Sequence, residues 1–297
     1  MNPLLDRIMS LTSLVLSGEH SLDDALQILE DWLADHADSL TPENRATFRA
    51  ALDGESTNDD RSLIDSILKL HTARVLHRQE AAQLESDSPD PDETPYQRAR
   101  RTFSQALAAS EDAINDVRID VAVANAHSLL GDIDANRRWL DHALTRLTDI
   151  AATDLVTIAQ DIPPMTPPKM NWIKRASLRF VGFDFNRLAQ DNLDTLVKIA
   201  HLQTNQITIL SHLIGVSFVS LEDDARARRA FRATAHLIIR HDGMPFQDNA
   251  PQLLDVAESL HLYEMEAAQV LAQQALALCE TEGDEEECAR AEALLAV

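Results

Sequence analysis

Apolar residues recur along this chain at helical spacing almost from end to end. Leu4, Leu5, Ile8, Met9, Leu11, Leu14 and Val15 fall at i, i+3, i+4 and i+7 of a first helix. Ser21 opens a second, with Asp23 and Asp24 in its first turn and Leu22, Ala25, Leu26, Leu29, Trp32 and Leu33 along one stripe. Thr41-Pro42-Glu43 reads as a cap, a proline at the first helical position and an acid behind it. Ser56 or Thr57 starts a further helix that buries Leu63, Ile64, Ile67, Leu68, Leu70 and Val75.

Beyond residue 95 the period predicts helices over 96–109, 111–130, 133–150, 171–180, 184–220 with a break near Thr204, 222–240, 248–262 and 264–281, then a short acidic helix. No segment alternates with the period of a strand. The expected class is all-α. Two segments interrupt the pattern. Glu85 to Pro95 packs three prolines and five acids into eleven residues and cannot hold a helix. It is expected to be either a solvated linker between an N-terminal helical region, 1–84, and a second, 96–297, or a long acidic loop inside one solenoid. Ile162-Pro-Pro-Met-Thr-Pro-Pro168 is expected to be an extended interhelical loop.

Several helices share an internal spacing. Tyr96, Ala99, Phe103, Ala106 and Leu107 alternate bulky and small residues, and this resembles the second helix of a tetratricopeptide repeat. Leu129-Leu130-Gly131-Asp132-Ile133, followed by Leu140, Ala143 and Leu144, looks like the turn and second helix of the same motif, with Asn136 where the family usually carries alanine. Weaker echoes are Ala227 with Phe231 and Ala235, Ala268 with Ala272, Ala275 and Leu276, and Ala25 with Leu29 and Trp32. The unit spacing is irregular, so a tetratricopeptide-like right-handed array of antiparallel helix pairs stands beside an irregular α-bundle. The resemblance implies an extended face that binds a peptide or protein partner.

Composition narrows the function classes. Glycine is scarce, 7 in 297 residues, which leaves few loops able to cradle a phosphate. Nucleotide-binding fingerprints, the GxSxG elbow and HExxH are absent from the sequence. Glu258-Ser-Leu-His261 has the spacing of a di-iron ligand pair, but no second Glu-x-x-His accompanies it. The chain therefore reads as non-enzymatic, with no catalytic, cofactor or metal residues assigned. Cys279 and Cys288 flank Gly283, and their spacing leaves open whether they pair. Residues 1–16 carry Asp6 and Arg7 and lack a signal cleavage pattern, and Ile207–Leu221 is too short to span a bilayer, so a cytoplasmic protein is expected.

Charge adds the sharper expectation. Asp+Glu total 49 against 26 Lys+Arg, a net charge of −23, which argues against general nucleic-acid binding. Against that background, residues 225–241 hold no acid and carry Arg226, Arg228, Arg229, Arg232 and Arg240. Arg98, Arg100 and Arg101 form a second basic island. A third interleaves Lys169, Lys174, Arg175 and Arg179 with Trp172, Phe180, Phe183 and Phe185. The expected contact residues for an acidic protein or peptide are Arg226, Arg228, Arg229 and Arg232, together with Trp172, Lys174 and Arg175. Docking of 169–187 on a membrane surface is the alternative, and a nucleic-acid or ligand-responsive regulator a lesser one.

Overall fold

Local sequence sets where each helix begins. In a computed structural model, which describes residues 2–37, 40–52, 60–84, 93–164 and 185–296, helix α1 spans Pro3–Leu16 and α2 Leu22–Asp35. Asn2 caps α1 by accepting from the Leu4 amide, and Ser21 and Asp24 form a capping box at α2. α3 (Pro42–Leu52) is followed by α4 (Asp60–Leu84), α5 (Pro95–Leu129), α6 (Ile133–Ala151) and α7 (Leu155–Gln160). Next come α8 (Phe185–Ser220), α9 (Asp224–Arg240), α10 (Ala250–His261), α11 (Met265–Glu282) and α12 (Glu285–Leu295). The fold is all-α, with no strand among the described residues.

Two expected breaks are absent. α5 continues through Ser110, which is buried and accepts a hydrogen bond from Gln203 Nε2 at 3.3 Å instead of capping a new helix. α8 continues through Thr204, whose hydroxyl donates to the Ala200 carbonyl one turn back, sharing that acceptor with the helix's own backbone bond instead of capping a new helix. The periodicity also missed α7, six residues started by the Asp154 side chain on the Thr157 amide. Ser56, Thr57, most of the 85–95 segment and residues 165–184 lie outside the described residues.

The chain forms two compact units, Met1–Pro89 with Asp116–His142, and Asp90–Asn115 with Ala143–Val297. The 96–297 stretch is thus shared between them: the division passes within α5 and within α6 as well as through the proline-rich segment. The reason lies in which apolar side chains pack together. In the first unit Leu4, Ile8, Leu11, Leu22, Leu29, Phe48, Ile64 and Leu68 of α1–α4 enclose Ile119, Val123 and Ala126 from the second half of α5. In the second, Tyr96 and Phe103 from its first half pack with Leu155, Val156 and Ala159 of α7 and Ala200 of α8.

The second unit continues as stacked helix pairs. α8 packs on α9, α10 on α11, and α11 on α12, while α9 also meets α11 and α10 also meets α12. Buried alanines allow close approach: Ala227, Ala230 and Ala235 on α9, and Ala267, Ala268, Ala272 and Ala275 on α11. At the α8–α9 crossing Gly215 lies so close to Phe231 that a Cβ there would sit 2.7 Å from the ring. The loop between α9 and α10 is pinned from two helices. Gln274 of α11 both donates to and accepts from the Met244 backbone (2.8 and 2.9 Å), and Asn205 of α8 donates to the Pro245 carbonyl at 2.7 Å. Gly243, at φ 106°, is required there because a Cβ would lie 2.6 Å from Gln274 Oε1.

Candidate interaction surface

Along the chain α9 is an island of positive charge; in three dimensions Arg226, Arg228, Arg232 and Arg240 each face a carboxylate. Its N-cap Asp223 accepts from the Arg226 amide and pairs with the Arg226 guanidinium at 2.6 Å. Arg228 pairs with Asp224 at 2.8 Å, one turn back, and lies over the Tyr263 ring, 5.3 Å from its centre. The hydrogen bond from Arg228 to Asp224 raises the guanidinium pKa further. Arg229 donates to Thr145 at 3.1 Å, Arg232 reaches Glu264 of the α10–α11 turn at 3.6 Å, and Arg240 pairs with Asp154 at 2.6 Å. Asp223 and Asp224 at the start of α9, with Asp154 and Glu264 at the N-caps of α7 and α11, supply what 225–241 lacks. Arg98 and Arg100 sit on exposed positions of α5, and Arg101 chelates Glu93 with two hydrogen bonds near 3.0 Å. Trp172, Lys174 and Arg175 lie outside the described residues, as do Lys169, Arg179, Phe180 and Phe183.

Asp154 is a junction. Burial pushes its pKa up, but hydrogen bonds from the Thr157 hydroxyl and amide, with Arg240 and His241 nearby, outweigh this and hold it below the usual carboxylate range. His201 and His241 meet edge to face at 5.7 Å, and burial lowers both. Comparison with family models, curated proteins and solved structures finds no match. Nor, among the described residues, is any helix long and apolar enough to cross a membrane.

Sequence reasoning missed a buried charge network in the first unit. Asp116 and Asp120, one turn apart on α5, face Arg74 and Arg78, one turn apart on α4. Asp120 is fully buried and also lies 3.1 Å from His142 Nδ1. Arg74 donates to His71 Nδ1 at 2.5 Å, and Glu30 stands 3.6 Å from the other ring nitrogen. The signal was present as two i,i+4 pairs of like charge, acidic on α5 and basic on α4, hidden among many other charges. Asp23 of α2 contacts both sides of the Gly131 turn: it lies 3.3 Å from His127 and accepts from Trp139 Nε1 at 2.8 Å. Among the described residues no group of three His, Cys, Asp or Glu side chains is placed to hold a metal ion. Glu258 of the Glu258–His261 pair is engaged instead by Arg290 at 2.9 Å.

Cys279 and Cys288 form a disulfide that ties α12 to α11 across the Gly283 turn. Arg290 adds ion pairs to Asp255 and Glu258 of α10, and Ala291 is buried beneath. Reduction by a dithiol is expected to destabilise this end of the chain by about 2–3 kcal/mol, the chain-entropy value for so short a loop. Thermal unfolding with and without reductant measures it, with Cys288→Ser matching the reduced protein. Equal stability in all three would show that Arg290 and Ala291 suffice to hold α12.

Proposed function

We propose that this protein is a non-enzymatic, tetratricopeptide-like helical-repeat protein that binds an acidic segment of a protein or peptide partner. The observation that supports it most is the register of contacts from α8 to α12. Each helix packs on its hairpin partner, and α8, α9 and α10 each meet the helix two further along. Such stacking builds a core from neighbour contacts alone and leaves long faces available to a ligand. Arginine suits recognition of carboxylates because its planar fork binds them bidentately.

Internal pairing does not remove the arginines from use. The Arg228–Asp224 pair is more than half exposed on both sides, and the Arg232 side chain is 80% exposed. Ion pairs in such settings contribute about 0–1 kcal/mol and exchange readily for another carboxylate. A fluorescently labelled peptide rich in Glu and Asp tests the reading by anisotropy at low and physiological salt. The wild type is expected to bind with salt-sensitive affinity, and the Arg226→Gln, Arg228→Gln, Arg229→Gln, Arg232→Gln variant about tenfold or more weakly, a difference of about 1.4 kcal/mol. Equal affinity of the two proteins at both salt levels rejects the acidic-segment reading.

A further inference from the structure

We propose that two copies of this chain associate through α8, helix against helix. Leu188, Ile199, Leu202, Leu213 and Val216 of α8 are each between 36 and 49% exposed, and Ile209 between them is half-buried. Their numbers fit one series, 188, 192, 195, 199, 202, 206, 209, 213 and 216, with steps of four and three in strict alternation. That alternation keeps side chains on a single seam of a helix and is the spacing by which one helix receives another. Six of the nine positions are aliphatic; the others are Asn192, Thr195 and Gln206. Polar residues at a few seam positions lower stability and fix register. The opposite face, with Ala200, Ile207, Ile214 and Phe218, is already buried in the second unit, so the seam is surplus to that core.

Length and charge point to a second copy as the occupant. From Leu188 to Val216 the seam runs about 42 Å at the helical rise, roughly four heptads, long enough for a two-helix coiled coil. Each chain carries −23, so two copies repel wherever carboxylates face one another. From Thr195 to Leu221, however, α8 has no Asp or Glu, the longest such stretch in the chain. Acids near the seam fall only in its first heptad, at Asp191 and Asp194, where Arg187 lies 4.0 Å from Asp191. Charged residues flanking a heptad seam set partner choice and orientation. Beyond Asp194 the flanks of this helix carry one ammonium, Lys198, and otherwise neutral side chains and histidines. A seam that is its own complement makes the closed two-fold contact common among soluble oligomers.

Sedimentation equilibrium of the full chain, over a wide concentration range and at low and high salt, tests the proposal. A species of twice the chain mass is expected. Its dissociation constant should fall as salt rises, because salt screens the repulsion between two acidic bodies while leaving the apolar seam intact. Leu202→Glu with Leu213→Glu should abolish the dimer at unchanged helix content. If that variant loses helix, Leu202→Ala with Leu213→Ala decides instead, with dimerisation expected at least tenfold weaker. A wild type that stays monomeric throughout overturns the proposal, including one that binds an added amphipathic helical peptide in place of itself. A dimer that survives both variants, or that dissociates as salt rises, overturns it too. The acidic-peptide titration reads different side chains, so failure here and failure there are distinguishable.

Discussion

Acidification from neutral pH to pH 4 is expected to destabilise both units through one buried histidine in each. His71 and His212 each have a pKa lowered from 6.5 to about 4. For His71 burial is the main cause, followed by the positive charges of Arg74 and Arg78. For His212 burial also dominates, and Asp255 only partly offsets it. The ring lies against Phe231, and its Nε2 finds no hydrogen-bond partner among the described residues. Between pH 6.5 and 4 the unfolded chain binds a proton at each ring that the folded chain refuses. Stability is therefore full above pH 6.5 and falls as the pH drops towards 4, by roughly 3 kcal/mol per ring. Urea unfolding of wild type, His71→Gln and His212→Gln at pH 7 and at pH 4.5 isolates each contribution from the general titration of carboxylates. If neither substitution flattens the pH dependence, the two rings are protonated in the folded protein and the burial described for them is wrong.

Phe231→Ala is expected to cost about 3–5 kcal/mol, because the ring is fully buried where α8 crosses α9, with its centre 4.6 Å from that of the tilted Tyr263 ring. The partner substitution carries the specific information. In the wild type Gly215→Ala forces a methyl onto the ring and should destabilise by about 1–3 kcal/mol, although alanine is the better helix former by about 1 kcal/mol. In the Phe231→Ala background the obstruction is gone, and the same change should become neutral or stabilising. A double-mutant cycle by urea unfolding reads the coupling directly. Were Gly215→Ala to cost the same in both backgrounds, the close approach of the two helices would be disproved.

The all-α class, and most helix positions, follow from sequence because they rest on local physics. A cap such as Ser21 with Asp24, a proline at Pro42 or Pro95, or an αL glycine at Gly131 or Gly283 acts on its own few residues. The apolar period then names the buried face, as it did for Leu22, Leu26, Leu29 and Leu33. Where a polar residue finds a distant partner, local reading fails. Ser110 reads as a cap until Gln203, on another helix, donates to it, and α7 is too short to show a period.

Charge shows the limit most clearly. A stretch without acids is a property of the chain, whereas potential is a property of space. Arg226 and Arg228 meet acids within their own turn, visible at i−3 and i−4, but Arg232 and Arg240 meet Glu264 and Asp154, which only folding brings near. The α8 seam is the converse case. Its spacing was written in the sequence, but a helical period alone cannot separate a stripe that packs from one left in solvent. By itself the sequence determined an acidic, helical chain and the ends of most of its helices. The tertiary structure decided which apolar face was left over, which charges cancelled, and that Cys279 and Cys288 meet, because each depends on side chains distant in sequence or on the path of a turn.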